Sequence, residues 1–221
     1  MGSVATCAVF VYAAASLVDR PVARWVHAHL GDERFDWFEA SYHGHLLRLG
    51  PFGLLASPAE AIQPLAVLVF AILSISAAVG WRPSVRGRNV LALCLSIFVA
   101  NAVSTVAKEA FGRTWPESWL GDNPSFIRDG VFGFFPFHKG LGFASFPSGH
   151  TTAITTFATV AWFAWPELRW AWGAIVAIVI VGLIGGNYHF VSDIIGGAYL
   201  GVWIGFSIVA LMVQPNRDRL K

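Results

Sequence analysis

The chain has 221 residues, 56% of them hydrophobic and 13% charged, and a formal net charge of +2. Soluble domains carry roughly 25% charged residues, so this is the composition of an integral membrane protein. The length suits one compact unit, and the small net charge gives no basis for nucleic-acid binding.

A membrane-crossing helix needs about 20 mostly apolar residues, and in chain order the apolar stretches define six candidate spans. The first covers 3–18. Its "AAAS" is similar to a signal-peptidase site, but no Lys or Arg precedes the apolar run, so we expect a retained helix. Residues 19–59 are charged, aromatic and amphipathic, and read as helices lying in the membrane interface. Spans two and three, 60–80 and 89–107, flank "WRPSVRGRN" with Arg82, Arg86 and Arg88. The long segment 108–148 carries Gly, Pro and Asn-Pro turn signals, and its many aromatic residues argue against disorder. Spans four to six, 149–165, 169–187 and 193–213, are joined by "WPELRW" and "GNYHFVSD". Cys7 and Cys94 lie inside apolar runs and read as small buried hydrophobes, not as a disulfide or metal site.

Lys and Arg mark the cytoplasmic side of short loops. The loop with Arg82, Arg86 and Arg88 and the tail "NRDRLK" fall on one side of a six-span protein, which is therefore expected to be cytoplasmic along with both termini. Trp162, Trp165, Trp170 and Trp172 gather at the turn on that side, as an interfacial aromatic belt does. The expected fold class is an all-α, six-transmembrane-helix bundle with interfacial helices and a long non-cytoplasmic loop between the third and fourth spans. It forms a single domain over 1–221: a first span and interfacial segment (1–58), a five-span core (59–213) and a cytoplasmic tail (214–221).

Three polar clusters fall on the opposite side. In "KEAFGRTWP", Lys108 closes the third span and Arg113 lies just beyond it. In "PSGH", Ser148 suits the N-cap of the fourth span; Gly149 lets an anion approach the free N–H groups of the helix start, and His150 occupies the first turn. In "HFVSD", His189 and Asp193 are four apart and expected on one helix face, where a carboxylate holds one imidazole nitrogen and leaves the other free to attack. Taken singly, each cluster also suits a cap, a snorkelling Lys or a stabilising pair. Together they supply cations, a nucleophile with an orienting acid, and a proton donor, which is the equipment of phosphoryl transfer.

These residues, in this order, resemble the type 2 phosphatidic acid phosphatases (lipid phosphate phosphatases), whose pattern is Lys-x6-Arg-Pro, Pro-Ser-Gly-His and Ser-Arg-x5-His-x3-Asp. Pro147-Ser148-Gly149-His150 and His189-x3-Asp193 match, Lys108 and Pro116 keep the spacing of the first motif, and the likeness spans about 59–213. The resemblance implies a phosphomonoesterase or pyrophosphatase acting on a lipid phosphate in a membrane of the bacterial inner type, without metal or other cofactor. His189 would attack phosphorus to form a phosphohistidine, Asp193 would orient it and His150 would protonate the leaving alcohol. Lys108, Ser148 and Gly149 would hold the phosphate.

Two motif arginines are missing: their positions hold Trp115 and Leu183, and Gly182 replaces the accompanying Ser. Arg113 is the nearest substitute phosphate ligand, with Arg128, Lys139 and Asn187 as further candidates. The alternative is a weakened relative that binds anionic lipid or passes phosphate to another acceptor. A transporter is disfavoured because the ionisable residues sit at span ends, and a haloperoxidase because those enzymes are soluble. "HAH" (27–29) and "HGH" (43–45) have poor spacing for a helical metal site.

Overall fold

The computed structural model describes residues 2–30, 38–42, 45–118 and 123–213, with the backbone alone for 38–42 and 45–49. The helices are α1 (Gly2–Leu17), α2 (Asp19–Leu30), α3 (Pro51–Ala78), α4 (Val85–Phe111), the one-turn α5 (Phe126–Asp129), α6 (Gly149–Ala164), α7 (Arg169–Gly185) and α8 (Val191–Met212). Among the described residues four helical segments are long and apolar enough to cross a membrane, and a fifth if α1 and α2, bent by 49°, form one span. The chain is an integral membrane protein. Each of the six expected spans coincides with a helix; α1 and α6 are the short ones, at 16 residues each.

Two expectations change. The segment 19–59 is not helical throughout: an antiparallel hairpin, β1 (Phe38–Tyr42) with β2 (His45–Leu49), follows α2. The aromatic Phe38 and Tyr42 of β1 favour strand over helix. The second span begins earlier than expected, because Pro51 starts α3 in the first helical turn, where a proline costs nothing. Pro58 and Pro64 lie within that helix. The tail 214–221 and His43 and Gly44 fall outside the described residues.

The core is organised around α6, which packs against α3, α4, α7 and α8. Its contact with α8 is close because α8 carries a small-residue stripe, Gly197, Gly201 and Gly205, one per turn. A Cβ on Gly197 would stand 2.6 Å from Ser148 O, and one on Gly205 would stand 2.5 Å from Thr159 Cβ. Thr156 Oγ1 donates to Gly201 O across the seam (3.1 Å). This seam joins the start of α6 to the start of α8, the two ends that carry His150 and His189.

Beyond α4 the chain does not wander. Gly112 caps the helix in the left-handed region (φ 57). Arg113 then forms isolated bridges to Phe134 and Ala144, and Trp115 to Ser125. Phe111, Phe134 and Phe146 stack edge to face (ring centres 4.9–6.3 Å). The aromatic residues of 108–148 thus tie the long loop over the helix ends.

Candidate active site

The three polar clusters meet at one end of the bundle. Ser148 caps α6, its Oγ accepting from Thr151 N (3.3 Å) and Thr151 Oγ1 (3.0 Å). Among the described residues no hydrogen bond takes up the Gly149 and His150 N–H groups at the helix start, as an anion site requires. Lys108, at the end of α4, lies against Gly149: a Cβ there would stand 3.4 Å from Lys108 Nζ. Lys108 has no carboxylate at ion-pair distance among the described residues, so its charge remains available to a ligand.

His189 is not on a helix face. It sits in the tight turn before α8, whose N-cap is Phe190. Asp193, the third residue of α8, reaches back over that turn: Oδ2 accepts from Phe190 N (3.0 Å) and Ser145 Oγ (2.6 Å) and lies 3.6 Å from His189 Nδ1. Ser145 Oγ is 3.4 Å from the same Nδ1. Both carboxylate and hydroxyl therefore stand on the Nδ1 side, and no protein group among the described residues hydrogen-bonds Nε2. The rings of His189 and His150 are 6.0 Å apart. Burial holds the His189 pKa well below its ordinary value, at about 4, against the opposing pull of Asp193. At neutral pH the imidazole is therefore uncharged and its Nε2 lone pair is free. His150, by contrast, is half-buried and meets Glu60 of α3 (Nε2 to Oε1, 3.4 Å).

Arg113 is placed behind the site, not inside the cradle. Its side chain is fully buried. It lies 3.1 Å from Asp193 Oδ1, donates to Asp19 Oδ2 (2.6 Å) and touches Ser192 Oγ. Asp19 in turn accepts from Ser192 N (2.9 Å). One guanidinium thus bridges two buried carboxylates, from the start of α2 and the start of α8. Its rear faces are closed by the Phe134 and Phe190 rings, 4.4 and 4.7 Å away. The substitutes named further out are also engaged elsewhere. Arg128 pairs with Asp129 (2.9 Å) and donates to Asn123 O (3.2 Å), and Lys139 is exposed. Asn187 Nδ2 is spent on Ala23 O (3.1 Å) and Glu117 Oε1 (2.8 Å), which docks α2 onto the His189 turn.

Leu183 and Trp115, the positions where the resemblance leads one to expect arginines, are both packed into the structure. Leu183 is buried in the core cluster with Ala56, Ala59 and Ile154. Beside it, Gly182 touches α3 so closely that a Cβ would stand 2.6 Å from Ala56 N. Trp115 puts its ring 5.1 Å from that of His189 and 6.0 Å from Lys108 Nζ, anchored by its Nε1 donating to Leu141 O (2.7 Å). Sequence reading missed Asp19, Ser145, Ser192 and Glu60. Asp19 and Glu60 carry a legible signal, an acidic residue flanking or entering an apolar span; the two serines carry none.

Of the His-x-His pairs, His27 Nδ1 meets Glu117 Oε1 (3.0 Å), and His29 stacks on Trp25 (4.8 Å) with Nδ1 on Trp25 O (2.9 Å). Among the described residues no group of three or more His, Cys, Asp or Glu side chains is arranged to hold a metal.

The PAP2 superfamily family model matches residues 89–217, and the chain belongs to that superfamily. The lipid A 1-phosphatase of Rhizobium johnstonii is 29% identical over 121 residues, covering 55% of this chain and 46% of its own. That of Rhizobium etli is 29% identical over 124 residues, covering 56% and 50%. The chain thus aligns with about half the length of these curated relatives. The crystal structure of a transmembrane PAP2-type phosphatidylglycerolphosphate phosphatase from Bacillus subtilis shares the fold, with a TM-score of 0.52 at 18% identity and 94% of each chain covered.

Proposed function

We propose that the chain is an integral-membrane lipid phosphate phosphatase that works through a phosphohistidine and needs no metal or other cofactor. The observation that carries this reading is the His189 environment: a buried imidazole backed on Nδ1 by Asp193 and Ser145, with the His150 ring of α6 6.0 Å away, centre to centre. In the first step, Nε2 attacks phosphorus, the P–O bond to the lipid breaks, and His150 gives its proton to the leaving oxygen. Asp193 stabilises the positive imidazole that results. In the second step, His150 takes a proton from water, whose oxygen attacks phosphorus; the P–N bond breaks and inorganic phosphate leaves. Lys108 and the Gly149 and His150 N–H groups offset the charge that develops on the phosphoryl oxygens. Ser148 shapes this cradle as the cap of α6.

The six helices at the expected positions support six spans, and the Arg82–Arg88 loop lies at the bundle end opposite His189. The site then faces the non-cytoplasmic side, with both termini cytoplasmic. The two curated relatives make a lipid A phosphate the first substrate to assay, beside phosphatidic acid, phosphatidylglycerol phosphate and a polyprenyl pyrophosphate. Phosphate release by the purified chain from one of these, abolished in His189→Ala, is the expected result.

One observation favours a second reading. The positions of both motif arginines hold apolar or aromatic groups, and Arg113 is committed to Asp19 and Asp193. A relative that binds anionic lipid, or passes phosphate to another acceptor, would bind these lipids without releasing inorganic phosphate.

A further inference from the structure

On the exposed face of α2, Arg20, Arg24 and His27 recur at helical spacing and line a cavity of about 570 Å³ floored by Phe126 and Phe132. Arg20 Cζ lies 5.3 Å over the Phe132 ring, and Arg24 Cζ lies 5.1 Å over the Phe126 ring. Among the described residues neither guanidinium has a carboxylate at ion-pair distance; the acidic residue nearest in the network, Glu117, is bound by His27 and Asn187. A guanidinium whose carbon lies over an aromatic ring still has N–H groups to donate, and its fork matches the oxygens of a phosphate. Two such cations one helical turn apart line one cavity, and among the described residues neither has an ion-pair partner.

The cavity shares its support with the His189 turn. The Phe126 and Phe132 rings stand 6.4 and 5.2 Å from that of Phe190, the residue after His189. Asn187, two residues before His189, ties the turn to α2 through Ala23 O (3.1 Å). An anion held by Arg20 and Arg24 would therefore rest on the same aromatic support as the His189 turn.

We propose that this cavity is a second anion site, taking a lipid phosphate group other than the one cleaved. That group is either a second phosphate on the substrate headgroup or the phosphate of an adjacent anionic lipid. Its consequence for selectivity rests on the phosphatase reading; its binding does not. The test uses the full chain in phosphatidylcholine nanodiscs on a His189→Ala background. It compares a synthetic lipid carrying two phosphomonoesters with the matching monophosphate. Arg20→Gln/Arg24→Gln is expected to weaken binding of the bisphosphate about tenfold or more and leave the monophosphate unchanged. If the adjacent lipid is the occupant, adding phosphatidylglycerol to the nanodiscs changes the KM for the monophosphate with His189 intact, and the double variant loses that response. A double variant indistinguishable from its parent in both comparisons overturns the site. A chain that hydrolyses no lipid phosphate yet shows the binding difference loses the phosphatase reading and keeps this one; turnover without the difference does the reverse.

Discussion

The two sides of the site are built oppositely. His189 stands on the buried side, its side chain 1% exposed, with Asp193, Ser145, Asp19 and Arg113 packed behind it. His150 stands 6.0 Å away, ring centre to ring centre, on the open side, its side chain 34% exposed and its partner Glu60 63% exposed. The difference matches the two tasks proposed. A nucleophile benefits from a fixed direction and an uncharged lone pair, which burial and a carboxylate on Nδ1 supply. A proton carrier has to exchange with water between steps, which burial would prevent.

The largest effect is expected on the buried side. His189→Ala should lower phosphate release about 10⁴-fold or more; an active variant would remove the nucleophile from the account. On the open side, His150→Ala should cost about 10²–10⁴-fold with a lipid substrate and far less with p-nitrophenyl phosphate, whose leaving group needs no proton. Equal losses on both substrates would deny His150 the role of acid.

The Arg113 network gives a third contrast. Arg113→Ala leaves two buried carboxylates unpaired and should cost about 3–5 kcal/mol of stability, read as a lowered thermal midpoint in detergent. Arg113→Lys keeps a charge but not the bridge. Because Arg113 reaches the reaction through Asp193, its kcat should fall while the KM for lipid stays near wild type. A raised KM with unchanged kcat would instead place Arg113 on the phosphate, as the sequence alone led us to expect. Glu60→Gln should be the mildest change, a few-fold at most in kcat, since an exposed pair contributes roughly 0–1 kcal/mol.

Acid adds a test of burial itself. The folded protein keeps His189 neutral down to about pH 4, whereas an ordinary histidine protonates near 6.5. Unfolding therefore takes up a proton between those values, so this group makes stability rise with pH across that window and leaves it flat above. His189→Gln should remove that part of the slope; an unchanged slope would mean that His189 is not held neutral.

These contrasts also show what was legible in the sequence. The six apolar stretches, the Ser148 cap and the meeting of Lys108, His150, His189 and Asp193 follow from local pattern and from the order of spans. The His189–Asp193 spacing was legible, but its geometry was not. Four residues apart suggests one helix face, and only the Phe190 cap reveals a carboxylate folding back over a turn. The Asp19–Arg113–Asp193 bridge was not legible, because sequence distance from a motif position says nothing about which side of a carboxylate a long side chain takes. That depended on Asp19, whose partner lies 94 residues away. The hairpin at 38–49 was missed because short amphipathic stretches carry little information to separate strand from helix.

Passage of the phosphoryl group through His189 is open to direct measurement. The purified chain is mixed with a lipid phosphate bearing a labelled phosphoryl group, quenched within the first turnover and digested to find the labelled peptide. The account predicts a base-stable, acid-labile phosphoryl group on His189, absent in His189→Ala and accumulating when His150 is replaced in the presence of a good leaving group. Released phosphate with no covalent label, or a label on any other residue, would contradict it.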